Sequence, residues 1–283
     1  MEIVLSFVTA TAIAFLLSGC ASPEFVPTGV VSIYHDEYFI DIEKRSKAPG
    51  VEKSWENAVI YLPNTVFPKR PKDLEKSDLK YPVVLYLHGC FGISYRHDNV
   101  WAKIINDIGF AVVIPDSFAR PGRKSNCSYE AKRQVAGFIQ APRYRAQEIA
   151  LAVEKLKQLD WVDQNRVFIM GHSEGGQATA KSPYDYFKGA IISGWTCTVA
   201  GHPEQDGIDI PKETPILVIV TRNDEWLTHP ALNVEWDGKR NCAYRGDNHK
   251  KLTYFELPGT SHTTLDFQEF REAVKDFLIK NSK

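Results

Sequence analysis

Seven apolar runs punctuate the chain, and each closes on polar or turn-forming residues: WENAVIYLP (55–63), YPVVLYLHG (81–89), FAVVIPD (110–116), RVFIMGH (166–172), KGAIISG (188–194), PILVIVTRND (215–224) and KLTYFELPG (251–259). Several are β-branched at consecutive rather than alternate positions, which predicts strands buried on both faces. Between the third and fourth runs, Ile149, Ala152, Val153, Leu156 and Leu159 recur at helical spacing, so one face of that segment is apolar and predicts a helix crossing the sheet. Phe267, Phe270, Val274, Phe277 and Leu278 form a second stripe, with Asp266 placed as N-cap and Glu269 three residues on. Residues 64–80, rich in Lys, Asp and Pro, predict an exposed loop. The alternation of runs and stripes predicts an α/β class: a mostly parallel twisted sheet with helices on both faces.

The chain has 283 residues, enough for one large domain of this kind, and neither an internal repeat nor a second domain is visible. A formal net charge of -1 without long charged blocks gives no reason to expect a nucleic-acid partner. The first stretch, MEIVLSFVTATAIAFLLSGCASPEF, has an apolar core too short for a comfortable membrane span and ends in small residues, so it reads as an export signal. Within it, Leu17 to Cys20 resemble the bacterial lipobox, which implies cleavage before Cys20 and lipid on that cysteine. The resulting organisation is a signal over 1–19, a tether over 20–30 and one domain over 31–283. Ala21 after Cys20 matches the outer-membrane lipoproteins of Gram-negative envelopes, with Glu2 in place of the usual basic start as the one departure. Export makes disulfides possible among Cys90, Cys127, Cys197 and Cys242, and spacing alone leaves three pairings open. No C-x-x-C pair or His-rich tract occurs, so no zinc site is expected.

The chemistry centres on VFIMGHSEGG (167–176), where a strand, a sharp turn at Ser173 and a helix start are arranged to lift a serine hydroxyl above the sheet edge. Alone, G-x-S-x-G also arises by chance. A serine needs a base to take its proton and an acid to hold that base, and both follow in order. Asp224 ends the strand ILVIVTRND, and His262 lies just past the next strand in ELPGTSHTT. The order Ser173, Asp224, His262 is that of α/β-hydrolases. The oxyanion needs preorganised N–H donors; Glu174, after the nucleophile, provides one, and Cys90 or Phe91 in YLHGCFG the other, with His88 assigned a structural role.

The blocks HGCFG, PDSFARPGRKSNC, RYRAQEIALAVEKL, VDQNRVFIMGHSEGG, GAIISGWTC, RNDEW and LPGTSHTTLD resemble successive blocks of the dienelactone hydrolase family of α/β-hydrolases, over about residues 55 to 280. The resemblance implies Ser173 as nucleophile, Asp224 as acid, His262 as base, and Cys90 and Glu174 as oxyanion donors. Ser173 stands where dienelactone hydrolase itself has cysteine, which points to a serine esterase rather than to the dienelactone substrate. The same blocks suggest Cys90 with Cys127 and Cys197 with Cys242, each closing a loop above the sheet.

Arg120, Arg123 and Arg222 fall near loop ends on the active-site side and are candidates for holding an anionic or sugar-bearing ester. Trp195, Trp226 and Trp236 are candidates for lining its pocket. Together these features predict an exported, membrane-tethered serine hydrolase of small esters, working without metal or cofactor. A peptidase or amidase of related fold is one alternative, although no substrate-gating domain is visible. The other is a non-catalytic surface lipoprotein that binds on a hydrolase scaffold, for which a complete triad has no chemical purpose.

Overall fold

The computed structural model describes residues 37–76, 78–125, 127, 135–198, 206–227, 241–246 and 248–283. Cys20, the signal, the tether and Trp236 lie outside them. The described strands are β1 (Val59–Tyr61), β2 (Tyr81–Leu87), β3 (Ala111–Ile114), β4 (Val162–His172), β5 (Gly189–Ser193), β6 (Ile216–Thr221) and β7 (Leu252–Leu257). The helices are α1 (Glu37–Ile40), α2 (Glu52–Glu56), α3 (Asp98–Asn106), α4 (Val135–Gln158), α5 (Glu174–Ala180), α6 (Cys242–Arg245) and α7 (Gln268–Asn281).

All seven strands join one sheet in the order β1-β3-β2-β4-β5-β6-β7. Only β1 runs antiparallel to its neighbour, with Ile60 opposite Val113. The parallel registers place Val84 beside both Val112 and Phe168, Met170 beside Ile191, and Val218 beside both Ile192 and Tyr254. The predicted mostly parallel sheet is therefore the observed one.

Successive residues of β2 serve opposite faces, as the pleat requires. Val83, Leu85 and Leu87 pack with Trp55, Ile149 and Leu156 on one side, while Val84 and Tyr86 pack with Trp101, Ile105, Phe270 and Val274 on the other. Each such side chain contributes roughly 1.5–3 kcal/mol by leaving water, which is why consecutive apolar residues persist along these strands.

Three local expectations change. Trp55 belongs to α2 rather than to the first strand: Val51 and Trp55, four residues apart, reach the same core, so the local period is helical. Asp266 does not cap α7. It ends a 3-10 turn (Thr264–Asp266), Phe267 occupies the cap position, and no side chain bonds there. Within 64–80, Lys69 exchanges backbone hydrogen bonds with Ile60 at 2.9 and 2.8 Å and Pro71–Asp73 form a 3-10 turn, so this largely exposed loop is tethered to the sheet edge. The parallel strands β2, β4, β5, β6 and β7 share their carboxyl ends, the edge where ligands bind in open sheets of this kind.

Candidate active site

Ser173 sits between β4 and α5 with φ 58° and ψ -118°, a conformation that costs an L-residue on the order of 1–3 kcal/mol. The turn is over-determined by its surroundings. The Ser173 N–H donates to Ser193 O at 2.9 Å, and its carbonyl accepts the Gln177 N–H at 3.0 Å. A Cβ on Gly171 would overlap the Gly175 carbonyl, and one on Gly175 would overlap the Leu87 carbonyl, so both glycines are required by close backbone approach.

His262 follows β7, and its Nδ1 lies 2.6 Å from Oδ2 of Asp224, which follows β6. A carboxylate accepts, so the neutral imidazole carries its proton on Nδ1 and leaves Nε2 as an acceptor. That Nε2 is buried and has no hydrogen-bond partner among the described residues. Asp224 is fully buried, and its Oδ1 accepts the Trp226 N–H at 2.9 Å. Ser173 and His262 line one cleft of about 490 Å³, together with the 89–92 loop, His172 and Trp226. Trp226 stacks on His262 with ring centroids 5.8 Å apart and meets Phe91 edge-on at 6.0 Å.

Behind His262 the rings of His172 and His97 continue a column, with centroids 4.8 and 4.3 Å apart. Burial holds the His172 imidazole well below its ordinary value of 6.5, and the neighbouring His97 and His262 push the same way. Its Nδ1 pairs with the Ser193 hydroxyl at 3.0 Å, which in turn meets Thr264 Oγ1 at 2.7 Å.

The backbone N–H groups of Cys90, Phe91 and Glu174 take no acceptor among the described residues. Beneath them lies a buried charged network. Arg145, fully buried on α4, places Nε 2.9 Å from Glu174 Oε1 and donates through Nη2 to His88 O at 2.7 Å. Arg123 Nη2 bonds the same Glu174 oxygen. Glu148 accepts from Ser117 Oγ at 2.8 Å and lies 3.5 Å from both Arg120 and Arg145. Burial alone would raise the Glu174 carboxyl, but Arg145 and Arg123 hold it below the usual carboxylate range. His88 accepts the Ser117 N–H on Nε2 at 3.1 Å and donates from Nδ1 to Gly89 O at 2.7 Å. Burial, and then Arg145, keep it neutral.

The structure thus brings Ser173, Asp224, His262, Cys90, Phe91, Glu174 and Trp226 to one place. Arg120 and Arg123, expected at loop ends near substrate, are buried in the network instead, and neither lines the cleft. Arg222 pairs with Glu256 at 2.6 Å on the surface, and Trp195 packs against the core, so both stand apart from the cleft as well. Arg145 and Glu148 escaped the sequence reading although a signal was present. They extend the apolar stripe of Ile149, Ala152 and Leu156 at the same helical spacing, and charged residues in register with a buried face must be paired.

Cys90 is joined to Cys127 and Cys197 to Cys242, with Cα atoms 5.5 and 4.9 Å apart, the pairing that the family resemblance implied. Two disulfides fit an extracellular or periplasmic protein. Among the described residues no helix is long and apolar enough to cross a membrane, and no group of three or more His, Cys, Asp or Glu could hold a metal ion.

No curated protein matches the sequence. Among solved structures, the fold is similar to that of Est1E from Butyrivibrio proteoclasticus with bound ferulic acid, at 19% identity over 80% of this chain and 94% of that one, with a TM-score of 0.50. It is also similar to esterase PE8, at 17% identity over 73% and 96% of the two chains and a TM-score of 0.51. A cold-adapted esterase from an Arctic intertidal metagenomic library is 16% identical over 73% and 85%, with a TM-score of 0.50. At such identities these likenesses speak for the fold, which is that of α/β-hydrolases. The family rests on a direct match over residues 71–236, more than half of the sequence. With a strained turn after β4 and the loops of β2, β6 and β7 gathered round it, this chain belongs to the dienelactone hydrolase family.

Proposed function

We propose that the protein is a serine hydrolase of small carboxylic esters that works through an acyl-enzyme on Ser173. The observation that carries this reading is the buried His262 Nε2, unpartnered in the same cleft as Ser173 while Asp224 holds its Nδ1 at 2.6 Å. His262 takes the Ser173 proton as the hydroxyl oxygen attacks the ester carbonyl, and Asp224 stabilises the imidazolium that forms. The N–H groups of Glu174 and of Cys90 or Phe91 receive the oxyanion. Collapse expels the alcohol, which takes the proton from His262. Water activated by the same histidine then attacks the acyl carbon, releasing the acid and restoring Ser173. A cleft of about 490 Å³ suits a small-molecule substrate.

Ser173→Ala is expected to abolish both fluorophosphonate labelling and turnover of short p-nitrophenyl esters in a protein of unchanged melting temperature. Unchanged labelling in that variant would sink the assignment.

The lipobox at Leu17 to Cys20 supports a second part of the reading, in which lipid on Cys20 tethers the enzyme in the cell envelope. Cys20→Ala is then expected to abolish incorporation of a radiolabelled fatty acid and release the protein from the membrane fraction. Equal incorporation in the variant overturns the anchor without touching the chemistry.

A further inference from the structure

We infer that Arg145 is a positioning residue for the oxyanion hole: one buried guanidinium fixes both of its donor segments from behind. The inference rests on the acyl-enzyme reading above and adds a residue that makes no contact with the cleft.

In a trans peptide the N–H points opposite to the preceding carbonyl, so anchoring the carbonyl aims the N–H. The Gly89 carbonyl is anchored by the Nδ1–H of His88 at 2.7 Å and the N–H of Gly92 at 3.3 Å, with Arg145 Nη2 at 3.5 Å. The Cys90 N–H is thereby turned away from the network. The neighbouring carbonyl of His88 takes a charge-assisted bond from Arg145 Nη2 at 2.7 Å. The Cys90 carbonyl is held by the Ser125 hydroxyl at 2.7 Å, which orients the Phe91 N–H in the same manner.

The second donor segment is fixed by the other end of the same side chain. Arg145 Nε lies 2.9 Å from Glu174 Oε1, and Glu174 is the residue whose N–H follows the nucleophile. The Ser173 carbonyl, anchored by the Gln177 N–H at 3.0 Å, aims that N–H away from α5. Arg145 therefore ties the end of β2 to the start of α5 across the sheet edge. A lysine keeps the charge but offers no rigid planar fork, so it cannot hold Glu174 and two carbonyls at once.

The network also carries charge. Arg120, Arg123 and Arg145 face two carboxylates, Glu148 and Glu174, with His88 neutral, leaving one positive charge in excess. It is buried directly behind the hole. A fixed positive charge in a site that water does not reorganise favours the negative oxygen of the tetrahedral intermediate over the neutral ester.

The test compares wild type with Arg145→Lys and Glu174→Gln, the second keeping its backbone N–H while losing the charge that Arg145 grips. Turnover of p-nitrophenyl butyrate gives kcat and KM. A trifluoromethyl ketone reports the hole separately, because its carbonyl carbon bonds the Ser173 oxygen, the proton passes to His262, and an oxyanion results. Losing one oxyanion donor costs about 100- to 1,000-fold in kcat, so a misaimed hole is expected to cost roughly 10- to 100-fold. KM should stay within about twofold, and the inhibition constant of the ketone should rise by the factor that kcat/KM loses.

Wild-type kcat in Arg145→Lys, or a rise in KM with unchanged ketone affinity, overturns the proposal, because a merely structural role deforms the cleft without singling out the oxyanion. If Arg145→Lys shows no cooperative thermal transition, Glu174→Gln decides on the same criteria. If instead Ser173→Ala turns over the ester at the wild-type rate, the acyl-enzyme reading fails and the positioning role falls with it. An inactive Ser173→Ala beside a fully active Arg145→Lys removes only the positioning role.

Discussion

Two buried carboxylates flank the Ser173 turn, and they are used in opposite ways. Asp224 holds His262, which lines the cleft together with Ser173. Glu174 is locked between the guanidinium groups of Arg123 and Arg145. An imidazole presents an acceptor nitrogen, so the Asp224 side of the site is suited to receiving a proton, whereas guanidinium groups offer only donors, so the Glu174 side is suited to holding backbone and field in place. Burial makes both pairs strong, and the partner decides whether that strength serves chemistry or scaffolding.

Asp224→Asn is the sharpest way to break this contrast. It should lower kcat by about 10,000-fold, because an amide can favour the wrong histidine tautomer, while the fold survives. Steady-state kinetics beside circular dichroism checks it, and a loss smaller than that of Glu174→Gln would reverse the assignment of roles. The change at Glu174 comes next in size, at the roughly 10- to 100-fold loss stated for a misaimed hole.

The smallest effect is one of pH. His172 and His88 have folded pKa values below 6.5, so the unfolded chain binds more protons than the folded one once pH falls below that value. Stability is therefore level above this range and declines as pH drops through it, by at most about 1.4 kcal/mol per pH unit for each histidine. Glu174 has the depressed pKa of a paired acid, so its contribution is present above 4.5 and is lost only at lower pH. Denaturant unfolding from pH 8 to pH 5 should show the histidine slope, and His172→Gln should remove one histidine's share. An unchanged slope in that variant would mean that burial does not keep the ring neutral.

Much of the site was legible because its signals are local. Ser173, Asp224 and His262 each follow a strongly apolar strand, and their order along the chain carries the geometry of the sheet with it. The arginines were read poorly because loop ends look alike in sequence whether they face solvent or pack inward. Arg120 and Arg123 stand in the polar stretch PDSFARPGRKSNC, yet they are buried by α4 closing over them. The helix cap falls one residue after Asp266 and the first strand begins four residues after Trp55, where a 3-10 turn and a short helix replaced the regular element expected.

The sequence by itself determined the alternation of strands and helices, the turn at Ser173 and the succession of Ser173, Asp224 and His262 after their strands, because periodicity and chain order are one-dimensional properties that burial writes directly into residue type. Tertiary structure alone decided what Glu174 is for. Its backbone follows the Ser173 turn, but its carboxylate meets Arg123 and Arg145 from 51 and 29 residues away. A charge can be buried only where such distant partners arrive together, and that convergence is a property of the packed sheet rather than of any stretch of chain.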